Sequence, residues 1–121
     1  MTPGYAPAMT PPPLPTTATV RALATFVQAR IEEGVEQLLR RVPTEEHDSP
    51  GVTDLLRIPH ALSRAAELAA RELEGELLCD PVDESAARLL WWTLLNTAHP
   101  FRAHPDVPAG ARATLDAIAG K

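Results

Sequence analysis

The spacing of the prolines decides most of what this chain can become. Each proline fixes φ and removes a backbone donor, which confines it to helix first turns, loops and sheet edges. Six of the 13 prolines fall within the first 18 residues, including the run Pro11-Pro12-Pro13. The others stand at positions 43, 50, 59, 81, 100, 105 and 108 and leave long proline-free runs between them. Residues 1–18 can therefore form neither a helix nor a central strand, and composition predicts a disordered arm with polyproline II character. A docking peptide for an aromatic groove is the sharper alternative for this arm. Met9 offers a second start codon within it.

Inside the proline-free runs the apolar residues recur at helical spacing. Over Thr19 to Val42, residues Val20, Leu23, Val27, Ile31, Gly34, Val35, Leu38 and Val42 share an arc of about 120°. Arg30, Glu32, Glu33, Glu36 and Arg40 occupy the other side. Gly34 lies within the apolar arc, where a missing side chain would admit a neighbouring helix. Residues 43–53 read as a surface loop, after which Thr53 or Asp54 caps a short turn and Pro59 starts or kinks a second helix running to Leu78. Its apolar face carries Ile58, Leu62, Ala65, Ala66, Ala69, Leu73 and Leu77. Asp80-Pro81 signals a third helix to about Ala98, apolar on most of its circumference. Residues 101–107 form a loop, and Pro108 to Ala119 a short last helix with Ala111, Leu115 and Ile118 inward.

Only 4% of residues are aromatic, so Leu, Ala and Val must fill the interior, and these favour helices over strands. The predicted fold is all-α: a small antiparallel three- to four-helix bundle, one domain over residues 19–121, behind the arm of residues 1–18.

A net charge of -5 and a pI near 5.3 argue against a nucleic-acid surface, which needs clustered Lys and Arg. No signal-peptide pattern opens the chain and no apolar run could span a bilayer, which predicts a soluble, cytoplasmic protein. The single cysteine, Cys79, cannot form an intramolecular disulfide. It reads as a half-buried structural thiol, or as one activated by a following helix N-terminus.

Chemical motifs are scarce. His99, His104 and Asp106 share one loop and could contribute to a metal site, but a closed site needs about four ligands, so they read as solvated loop residues. His60 lies on a charged helix face. The carboxylates Glu45, Glu46, Asp48 and Asp80, Asp83, Glu84 suit capping and solvation better than acid-base work. There is no nucleophile elbow, P-loop or dinucleotide fingerprint. The sequence thus predicts no enzyme, no cofactor and no metal. A helix-turn-helix reading would make the apolar third helix the reader, with only Arg88 to touch DNA.

One position stands out. Trp92 is rotated about 100° from Trp91, away from the core face of Ala86, Leu90 and Leu94. Its surroundings on the wheel are Arg88, Leu89 and Asn96, so a large aromatic is framed by a cation able to stack on it. Trp92, Arg88, Leu89 and Asn96 are the candidate partner-binding residues, and the predicted function is a non-enzymatic protein-protein interaction module or homodimer. The fourth helix or the arm could instead cover the ring. The alternatives are a small helix-turn-helix-like regulator and a metal- or small-ligand-binding protein.

Two segments carry a resemblance. Ala24-Thr25-Phe26-Val27-Gln28-Ala29-Arg30-Ile31-Glu32-Glu33 is similar to the opening helix of a family of small proteins common in actinobacteria such as streptomycetes. Ala103-His104-Pro105-Asp106 resembles the terminal Ala-x-His-Pro-Asp signature of the same family. The resemblance implies a helical fold and an actinobacterial host, and it implies no activity.

Overall fold

A computed structural model describes residues 13–119. Its elements are α1 (Thr17–Arg40), α2 (Pro50–Leu77), α3 (Glu84–Ala98) and α4 (Ala109–Ala119), with 3-10 turns at Thr44–Glu46 and His99–Phe101. No strand occurs among the described residues, and the chain is a small all-α bundle.

The helix starts are set by hydroxyl and carboxylate caps, and three differ from the predicted ones. Thr16 accepts the Thr19 N–H at 3.1 Å and begins α1 two residues early. Leu14 also packs on the core, so residues 14–18 belong to the fold rather than to the arm. The predicted arm over residues 1–12 lies outside the described residues. Ser49, not Thr53 or Asp54, caps α2 by accepting the Val52 N–H at 3.4 Å, with Pro50 at the first helical position. Pro59 consequently sits inside α2, where its missing N–H forfeits the bond to the Leu55 carbonyl; the helix runs through it. Asp83 rather than Asp80 caps α3, accepting the Ala86 N–H at 3.1 Å, and leaves Pro81 in the connection after a cis Asp80-Pro81 peptide.

α1 and α2 pair antiparallel, as their cross-links show. Arg21 bridges Glu67 at 2.8 Å and Glu74 at 2.7 Å, while Gln28 donates to the Ser63 carbonyl at 3.2 Å. Hydrogen bonds from Arg21 and then Arg71 hold the Glu67 carboxyl at about 2, and the paired carboxylates of Glu74 and Glu67 raise the Arg21 guanidinium. The core gathers Val20, Leu23 and Val27 of α1, Ala66, Ala70 and Leu73 of α2, and Trp91, Leu94 and Leu95 of α3. Ala111 and Leu115 of α4 complete it, with Ile118 half-buried at its edge. Gly110 lets α4 approach α1: a Cβ there would meet Thr19 Oγ1 at 2.7 Å.

The helices are unequal, and that shapes the molecule. At 1.5 Å per residue the 24 residues of α1 and 28 of α2 extend about 36 and 42 Å, whereas the 15 of α3 extend about 22 Å. The short third helix can lie along only half of the α1–α2 pair. Burial follows: past Val27 no residue of α1 is buried, and before Ala66 only Val52 of α2 is. The predicted role of Gly34 is overturned by the same mismatch, for it is exposed and a Cβ there would meet nothing within 4 Å.

Candidate functional site

The adjacent tryptophans of α3 divide as helical rotation requires: Trp91 is 2% exposed and Trp92 47%. Trp92 lies where α3 runs out beside the longer pair. Together with Ile31 of α1, Leu62 of α2, Asn96 and Phe101, it lines a groove of about 540 Å³. α4 does not line this groove, so the fourth helix leaves the ring uncovered.

The polar residues of the groove are turned to their own helix. Asn96 Nδ2 donates to the Trp92 carbonyl at 2.9 Å, Thr93 Oγ1 to the Leu89 carbonyl at 2.9 Å and Thr97 Oγ1 to the Thr93 carbonyl at 3.0 Å. What the groove offers a visitor is therefore mainly carbon. Above it, Leu55 (59% exposed), Ile58 (69%) and Leu62 (48%) continue the apolar face of α2 that Ala66, Ala69 and Leu73 bury in the core. Their i, i+3, i+7 spacing keeps them on that face, and only the cover is missing.

Of the predicted partner-binding residues, the structure joins Trp92 with Asn96 and separates the other two. Arg88 does not stack on Trp92; its Nη2 reaches back one turn to Glu84 at 3.1 Å, and its Nη1 is buried without a partner. The helical Cβ direction favours that backward reach. Leu89 is 67% exposed and lies outside the groove. Ile31, Leu62 and Phe101 were not predicted as site residues. No signal in the residues marked Leu62 as uncovered, because the inequality of the second and third helices arises from the start of α2 at Pro50 and not at Pro59.

Arg30 is the other correction. Predicted on a solvated face, its side chain is 12% exposed, with its guanidinium 5.2 Å from the Phe26 ring centroid. It also lies 2.6 Å from His104 Nε2 and 3.6 Å from Asp106, and the Asp106 N–H donates to His104 Nδ1 at 3.0 Å. Both ring nitrogens of His104 are engaged, and a guanidinium occupies the space a cation would need. The Arg30 Nε is buried without a partner, as is Nε2 of His99, which is not part of this cluster. No group of three potential ligands converges among the described residues. The cluster joins two segments far apart in the chain, Phe26 and Arg30 from one and His104 and Asp106 from the other. Their contact was not predicted.

The remaining candidates stay apart. His60 is exposed, as predicted. Cys79 is exposed rather than half-buried and precedes Glu84, the start of α3, by five residues, too far to feel that helix N-terminus. On α3 the one basic side chain is Arg88, already paired, so a recognition helix would present no free cation. No helix among the described residues is long and apolar enough to cross a membrane.

Compared with protein-family models, with curated proteins and with solved structures, the chain matches none.

Proposed function

We propose that this chain is a non-enzymatic protein-protein interaction module whose binding surface joins the Trp92 groove to the open face of the α1–α2 hairpin. The observation that carries the reading is the continuous exposure of Leu55, Ile58, Leu62 and Trp92 on one side of the molecule. Scattered apolar residues are ordinary on a protein surface, but a contiguous patch of large ones marks a contact site. Burying the exposed half of four such side chains contributes roughly 1 kcal/mol each, enough to offset part of the cost of association. The groove's mainly carbon lining, with Thr93, Asn96 and Thr97 hydrogen-bonded to their own helix, supports a binding role.

The test separates folding from binding. Ile58→Asp and Leu62→Asp should each change the stability of the monomer by less than about 1 kcal/mol, as exposed positions do. Denaturant unfolding monitored by circular dichroism measures it. A loss of about 3 kcal/mol or more in both would return these side chains to a folding role and end the reading.

A further inference from the structure

We propose that His104 is an acid-operated latch: neutral, it holds the loop after α3 against α1, and protonated it releases that loop, which carries the Pro100 and Phe101 wall of the Trp92 groove. The latch stands on the geometry of its own cluster, while its consequence for binding rests on the interaction-module reading of the groove.

The ring sits where α1 and the loop meet. His104 is half-buried, so protons reach it. Its imidazole packs edge-on to Phe26 with ring centroids 5.6 Å apart, beside an Arg30 guanidinium whose Nη1 lies 2.6 Å from Nε2 and 3.1 Å from Nδ1. The Asp106 N–H donates to Nδ1 at 3.0 Å. Both neighbours are donors. A neutral imidazole keeps one lone pair to meet them, whereas an imidazolium carries N–H on both nitrogens and can accept from neither. It also sets a second positive charge within hydrogen-bond distance of the first.

The surrounding charges do not offset that repulsion. On α1, Glu33 takes Arg30 Nη2 at 2.9 Å, and in the loop the Asp106 carboxylate faces Arg30 at 3.6 Å; neither pairs with the His104 ring. The end of α3 brings His99, whose carbonyl accepts from Arg102 at 3.0 Å, and α4 brings Arg112, which donates to the Pro105 and Val107 carbonyls at 3.1 and 3.4 Å. These three groups are basic and add to the charge an imidazolium would meet. The contact is therefore present while His104 is neutral and is lost as pH falls from about 8 to 5, the interval in which imidazoles take up a proton. Buried Val107 and the Arg112 bonds keep the far end of the loop on α4, so the movement is confined to the stretch from Pro100 to His104.

Amide hydrogen exchange of the full chain, followed by NMR and corrected for intrinsic rates, reads the latch with no ligand present. Between about pH 7.5 and 5.5 the protection of the Asp106 N–H should fall about tenfold or more. His104→Gln keeps an acceptor that does not titrate and should hold that protection within about twofold across the same range. Arg30→Met removes the like charge but not the loss of the acceptor, and should reduce the fall to about threefold. Circular dichroism checks the helicity of both variants. The Trp92 indole N–H resonance should shift over the same interval in the wild type and stay fixed in His104→Gln. An Asp106 protection that does not change with pH, or that falls equally in His104→Gln, overturns the latch and leaves the interaction-module reading standing. A latch that operates while the Trp92 resonance stays still overturns its claim on the groove. If instead Ile58→Asp and Leu62→Asp both unfold the chain, the interaction-module reading falls and the latch does not.

Discussion

The two ends of the α1–α2 pair are built from the same helices and differ in what lies on them. At the base, Val20, Leu23, Ala66, Ala70 and Leu73 are closed over by α3 and α4 and are almost without exposure. At the far end the pair continues alone, and its members Leu55, Ile58 and Leu62 face solvent. Both ends carry the same apolar periodicity. Periodicity therefore specifies which face a helix would bury, while burial requires a neighbour long enough to reach it.

The largest effect expected from this difference separates the two tryptophans. Trp91→Ala should cost about 3–5 kcal/mol, as for a buried aromatic, and Trp92→Ala about 1–2, since near half of its ring is already in water. Equilibrium unfolding of both variants measures it, and equal losses would break the division between core and open face.

Removing the base's ion-pair network comes next. Arg21→Leu should cost about 1 kcal/mol at neutral pH, because the pairs are partly exposed. Folding lowers the Glu67 pKa from 4.5 to about 2, so the stability it supplies is complete above 4.5 and is lost as pH falls toward 2. The variant's melting point should accordingly fall less steeply than the wild type's across that acid window. A parallel decline in both would show that the network is not the source.

Two glycines should then respond with opposite sign. Gly34→Ala removes a flexible residue from an exposed helix interior with nothing to strike and should stabilise the monomer by about 0.5–1 kcal/mol. Gly110→Ala would drive a methyl into Thr19 and should destabilise by a similar amount. Thermal melts in one buffer compare them.

The smallest effect is expected from chelation. Prolonged incubation with a strong chelator should leave the melting curve unchanged, because Arg30 holds His104 and no ligand group converges beside it. A shift of several degrees would reinstate His99, His104 and Asp106 as ligands.

Much of the fold was legible in the residues. Proline spacing and the 3.6 period marked all four helices, and of the expected inward positions Val20, Leu23 and Val27 of α1 and Ala111 and Leu115 of α4 are buried. The starts of α2 and α3 were displaced because several capping residues stand close together, and Ser49 and Asp83 prevailed over Asp54 and Asp80. In the site, the rotation of Trp92 away from Trp91 is a property of one helix and could be read directly. Its neighbours could not. Leu62 and Phe101 come from other elements, and Arg88 had a choice between Trp92 above and Glu84 below.

Sequence alone determined the helical class, a bundle of three to four helices and the apolar face of each. Tertiary structure decided how far those faces are covered, which glycine admits a neighbour, and that Arg30 turns inward onto Phe26 and His104 rather than out to water. The physical reason is range. Helical period, capping and proline geometry act within one or two turns of the chain, whereas cover depends on the relative lengths and placement of helices tens of residues apart.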